Sequence, residues 1–240
     1  MKNFLISAPF GNYITHVKCT SICGTYTLHK RGSWITRLYR ALTTIRPIKN
    51  GWVNRMELQN PGIRSIKKFN PKKIYSITAI QTEEWNELIN LISEQVAVEL
   101  NLSCPNIEPE SEIRDHQVVA CVKKFPIVIF KLSPTNEIYN QIDRLVNLGA
   151  RYIHIANTLP TKRGGESGAR LKSFSIKTIK NIRAKYPNIK IIGGGGIYSD
   201  KDVELYEKAG ADYFSLATIW FNPWKAIQLL KNSTLFVDFR

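Results

Sequence analysis

Eight short apolar segments, most of them alternating with helical patterns, predict an α/β fold: a TIM (β/α)8 barrel with a shortened N-terminal strand-helix unit. The segments are 4–8, 20–28, 75–79, 97–102, 127–132, 152–156, 189–192 and 213–217. Strands covered on both faces read as such runs, and repeated strand-helix units imply parallel strands joined by right-handed crossovers. A second observation is a glycine run at 193–196, between the seventh segment and a helix signal. An open doubly wound sheet is the alternative arrangement of the same units.

About a dozen residues separate the first two segments, too few for a full crossover helix. Residues 30–70 carry Gly, Pro and Arg and read as a long, partly structured excursion. In TEEWNELINLISEQV, Trp85, Leu88, Ile89, Ile92 and Val96 fall on one helical face. Ile138, Ile142, Leu145 and Val146 do the same, with Thr135 as N-cap and Gly149 past the end. Ser199 and Asp202 resemble a capping box ahead of Val203 and Tyr206, and Asn222-Pro223 reads as N-cap and first helical position. No linker or repeat divides the chain, so residues 1–240 read as a single domain.

The chain is 43% hydrophobic and 22% charged, which fits a soluble globular protein. Its apolar runs fall short of the ~20 residues needed to span a bilayer, and the N-terminus lacks a secretion signal. A cytoplasmic protein with no membrane partner is therefore expected. Cys19 and Cys23, flanked by His16 and His29, match no standard zinc spacing. No metal is expected, and reduced thiols are the default reading of all four cysteines. The net charge of +15 admits a nucleic-acid partner. Without an arginine-rich tail or an RNA-module motif, a solvated basic surface is the favoured reading.

In such a barrel the C-terminal strand ends form the active face. Asn101, Ser103, Cys104 and Asn106 follow the fourth strand, Lys131 ends the fifth, and Asn157-Thr158 follow the sixth. The glycine run ends the seventh, and Ala217-Thr218 end the eighth. A glycine run there suits a phosphate, because backbone N–H groups can approach it closely. Lys131 follows an apolar strand, where an ammonium is costly unless it meets an anion or snorkels to solvent. For Cys104 the residues leave two readings open, a buried structural thiol and an acid/base group.

ELNLSCPN, FKLSP, ANT, RGGESGARLK, IIGGGGIYSDKDVELYEKAGADYFSLAT and GWVNRMELQNPGI together resemble the dihydroorotate dehydrogenase family, in order and over most of the chain. The resemblance implies an FMN-bound barrel that oxidises dihydroorotate, or a related dihydropyrimidine, to orotate in pyrimidine biosynthesis. It implies that Cys104 is the catalytic base, as in soluble members. Asn54, Asn101, Asn106, Asn157 and Thr158 would hold the substrate. Lys131, Gly168, Gly195, Gly196, Ala217 and Thr218 would hold FMN. A homodimer is also implied. Two positions depart from the pattern: Gly24 stands where a lysine is common, and Glu57 replaces a glycine near the expected substrate carboxylate. Two other readings remain. One is a dihydrouridine-synthase-like flavoenzyme acting on RNA, although its His-x-Arg is missing at His154. The other is a barrel that has lost catalysis and serves as a binding protein.

Overall fold

The computed structural model describes residues 2–102, 112–133, 138–156 and 158–231. In chain order its elements begin with β1 (Asn3–Ile6), β2 (Cys19–Tyr26), α1 (Trp34–Thr44), β3 (Arg46–Ile48), β4 (Gly51–Asn54), β5 (Ile74–Ile77), α2 (Glu84–Leu91) and β6 (Ala97–Asn101). They continue with α3 (Asp115–Lys124), β7 (Val128–Leu132), α4 (Ile138–Asn147), β8 (Tyr152–Ile155), β9 (Leu159–Thr161) and β10 (Gly164–Gly168). The last are α5 (Arg170–Lys185), β11 (Lys190–Gly194), α6 (Asp200–Ala209), β12 (Tyr213–Leu216) and α7 (Pro223–Lys231).

Eight parallel strands close in the order β1-β12-β11-β8-β7-β6-β5-β2. Phe4 is in register with both Phe214 and Cys19, so β1 seals the ring, and the open-sheet alternative does not apply. All eight predicted segments are these eight strands. Between β1 and β2 there is only a 3-10 turn at Phe10–Asn12, so the first unit is short as expected.

Side chains alternate in and out along each strand. Phe4, Ile6, Val98, Leu100, Phe130, Leu132, Phe214 and Leu216 share the outer core under the helices. Leu5, Ile22, Ile74, Ile129 and Ile192 form a separate apolar layer inside the ring. The next inward positions along these strands, or along their neighbours, are polar: Ser7, Ser76, Glu99, Lys131, His154 and Ser215, all buried. An apolar floor thus carries a polar storey on its C-terminal side.

Ser199 caps α6 by accepting from the Asp202 N–H, and Asp202 accepts in turn from the Tyr198 N–H and the Ser199 hydroxyl. Asn222 caps α7 by accepting from the Lys225 N–H. The helix expected over 82–96 is shorter: α2 ends at Leu91 because the chain must turn back before β6. Ile92 adopts extended backbone (ψ 135°), and Val96 is buried from the turn rather than from a helical face. Thr135 lies outside the described residues.

The excursion at 30–70 contains α1, β3 and β4. Strands β3-β4-β10-β9 form an antiparallel sheet that springs from the C-terminal ends of β2 and β8, beside the barrel mouth. Trp52 of β4 packs on Phe221, and Phe221 packs edge-on against Phe10, which ties this sheet to the barrel.

Candidate active site

Asn101 and Lys131 are register partners at the C-terminal ends of β6 and β7, and both are buried. Beneath them lies Glu99, fully buried. One Glu99 oxygen accepts from His154 Nδ1 at 2.7 Å, and the other lies 4.0 Å from Lys131 Nζ. Burial by itself favours the neutral carboxyl, but Lys131 and His154 outweigh it and hold Glu99 well below the usual carboxylate range. Burial pushes His154 below its ordinary value, so the ring is neutral and carries its proton on Nδ1.

Ser76 is the register partner of Glu99, and its hydroxyl lies 3.0 Å from that of Thr25. Thr25 Oγ1 accepts from Asn101 Nδ2 at 3.1 Å.

On the far side of the mouth, Gly195 (φ 99°) and Gly196 (φ 71°) turn the chain out of β11. A Cβ on Gly196 would lie 2.7 Å from the Gly168 carbonyl oxygen and from Ala169 Cα, so this position has no room for a side chain. Gly168, at φ 109°, closes on Gly51 in the same way. Tyr198 reaches across to Thr218, with its phenol oxygen 2.5 Å from Oγ1. Burial raises the Tyr198 phenol, which keeps it protonated. The structure thus brings Gly168, Gly195, Gly196, Thr218 and the adjoining Ala217 to one rim. It brings Asn101 and Lys131 together on another.

Asn54 and Thr158 belong to the auxiliary sheet and its approach. Asn54 Nδ2 donates to the Gly165 carbonyl at 3.4 Å, and a Cβ on Gly165 would meet Thr158 Oγ1 at 2.6 Å. Cys104, Asn106 and Asn157 lie outside the described residues. Cys19 and Cys23 are buried in β2, and burial pushes the Cys19 thiol up to about 12. Cys23 donates to the Gly11 carbonyl at 3.2 Å.

Both departures have a local cause. Gly24 has φ 118°, and a Cβ there would lie 2.3 Å from the Ser76 carbonyl oxygen, so this backbone accepts no lysine. Glu57 has φ 50°, the left-handed region a glycine adopts freely. Its carboxylate pairs with Arg40 of α1 at 2.5 Å and is half exposed. Its charge is thus engaged by the Arg40 guanidinium. Glu99, His154, Thr25 and Tyr198 are site residues that the sequence reading passed over. A charged residue two positions before Asn101 on an otherwise apolar strand was the available signal for Glu99.

The profile of the family described as dihydroorotate dehydrogenase matches residues 42–233. The chain belongs to the dihydroorotate dehydrogenase family, a family of oxidoreductases. It is 28% identical to the catalytic subunit of dihydroorotate dehydrogenase B (NAD(+)) from Oceanobacillus iheyensis, over 84% of this chain and 77% of the relative. The protein of the same description from Endomicrobium trichonymphae is 31% identical, over 72% of this chain and 67% of the relative. Two crystal structures of dihydroorotate dehydrogenase from Eimeria tenella share the fold. The ferulenol complex has a TM-score of 0.73 at 14% identity, covering 95% of this chain and 79% of that one. The ligand-free form has a TM-score of 0.72 at 16% identity, covering 95% and 82%.

The residues present fit a flavin mononucleotide. Gly195 and Gly196 leave bare backbone at a strand end, where phosphate oxygens can reach N–H groups without a Cβ in the way. Lys131 offers a nearly buried ammonium at the mouth, and the Asn101 carboxamide stands beside it. In this dihydroorotate dehydrogenase scaffold, one rim is suited to a phosphate and the other to polar ring edges.

Proposed function

We propose that the protein is an FMN-dependent dihydroorotate oxidoreductase that converts dihydroorotate, or a close dihydropyrimidine, to orotate. FMN held at this mouth would supply the redox chemistry, as the acceptor for the hydride of C6. Cys104 takes the C5 proton, giving overall loss of one proton and one hydride and a new C5–C6 double bond. Asn54, Asn101, Asn106, Asn157 and Thr158 hold the carbonyl, amide and carboxylate edges of the pyrimidine. Lys131 would hold the flavin ring. Gly168, Gly195, Gly196, Ala217 and Thr218 would hold the rest of FMN, the last four near its phosphate.

The observation that supports this best is the Asn101–Lys131 pair. The two side chains are adjacent by register at the ends of β6 and β7, with Asn101 Nδ2 donating to Thr25 Oγ1 and Lys131 above the buried Glu99. Asn101 is also the first residue of the NLSCPN segment that carries Cys104. A membrane or nucleic-acid partner has no part in this chemistry. The test is reconstitution with FMN followed by anaerobic addition of dihydroorotate. Reduction of the flavin with release of orotate is the expected result. A Cys104→Ala variant should keep FMN and lose the rapid reduction.

A further inference from the structure

Helix α1 is amphipathic, and it turns its polar face to the protein. Arg40 donates to the Arg55 carbonyl at 3.2 Å and pairs with Glu57, and Thr44 Oγ1 accepts from the Arg55 N–H at 3.3 Å. No α1 residue is buried. The apolar face consists of Trp34 (66% exposed), Ile35 (60%), Leu38 (51%), Tyr39 (66%) and Leu42 (74%), which share one side at 3.6 residues per turn. Together they present roughly 600 Å², at the upper end of what a monomer's largest apolar patch reaches. A surface helix ordinarily does the reverse.

The charge around the helix identifies its complement. From Lys30 to Arg55 the chain contains Lys30, Arg31, Arg37, Arg40, Arg46, Lys49 and Arg55 and no Asp or Glu. Lys30, Arg46 and Lys49, which bracket the helix, are exposed. A second copy of this chain would bring two such basic segments together on molecules of net charge +15. The patch also falls short of the ~800 Å² per partner that a stable protein interface buries. An anionic lipid surface matches both features, since it takes up apolar side chains and attracts nearby Lys and Arg.

We propose that α1 is an interfacial anchor that lies in the surface of an anionic bilayer. Trp34, Ile35, Leu38, Tyr39 and Leu42 enter the headgroup boundary, and Lys30, Arg46 and Lys49 meet lipid phosphates. Trp and Tyr are the residues that favour this depth. No described helix is long and apolar enough to cross a membrane, and an anchor of this kind crosses none. It revises the expectation of no membrane partner, which considered only spanning segments.

The test is co-sedimentation of the full chain with phosphatidylcholine vesicles, with and without phosphatidylglycerol. Binding is expected to the mixed vesicles and to weaken as salt rises. Trp34→Ser/Leu38→Ser/Leu42→Ser changes exposed residues only. It should lower partitioning at least tenfold while leaving the thermal melt and flavin content unchanged. Lys30→Glu/Arg46→Glu/Lys49→Glu should abolish the preference for phosphatidylglycerol. No binding to the mixed vesicles at low salt would overturn the proposal. So would undiminished binding of the serine variant, or a dimer that the serine variant dissociates in a protein that ignores vesicles.

Discussion

Replacing Glu99 by glutamine removes the negative charge at the centre of the barrel's polar storey and little else. Glu99 and His154 are fully buried, and Lys131 is 8% exposed, so solvent cannot compensate. The variant leaves the Lys131 ammonium without the carboxylate 4.0 Å away. Breaking a buried pair by removing one partner costs about 3–5 kcal/mol. Glutamine keeps the shape and can still accept from His154 Nδ1, so a cost of about 3 kcal/mol is expected. For a chain of this size that lowers Tm by roughly 6–12 °C. Urea unfolding followed by far-ultraviolet circular dichroism gives the free energy, and the denaturant slope should not change. Combining it with Lys131→Met removes the opposite charge as well and should recover at least about 1 kcal/mol. A Glu99→Gln loss below about 1 kcal/mol, as exposed ion pairs give, would refute the reasoning. So would a double variant whose losses simply add.

Three further outcomes follow from the site. Gly196→Ala forces a Cβ to within 2.7 Å of the Gly168 carbonyl at φ 71°. It should cost about 1–3 kcal/mol and lower the bound flavin per chain, read by absorbance after gel filtration. Stability should fall below about pH 6.5, because buried His154 stays neutral in the fold while the unfolded ring takes up a proton. Glu99, held low in the fold, adds a second loss below about pH 4.5, and His154→Asn should flatten the first limb of a Tm–pH curve. Glu57→Gln should leave KM for dihydroorotate within about twofold, since that carboxylate is half exposed and already paired with Arg40.

The barrel was legible because its strands are covered on both faces, so each reads as a short apolar run whose position along the chain marks its place in the ring. Lys131 and the glycine turn were legible for a related reason: each breaks the local pattern at a strand end. The auxiliary sheet was not legible, because β4 finds its partner in β10, where Asn54 faces Gly165. No local periodicity reports a pairing across that sequence distance. Glu99 and His154 were missed because each looks unremarkable on its own strand. Their meaning arises only when β6, β7 and β8 are set in register, with Lys131 opposite His154. The doubt raised by Glu57 came from residue identity alone. Its left-handed backbone, and its partner Arg40 in α1, account for it.

The most direct test of the central claim is the visible spectrum of the FMN-loaded protein before and after anaerobic dihydroorotate. The oxidised flavin bands should be present at about one FMN per chain and should bleach, with orotate formed in equal amount. A protein that stays colourless after incubation with FMN, or one whose flavin bands dihydroorotate leaves untouched, would contradict it.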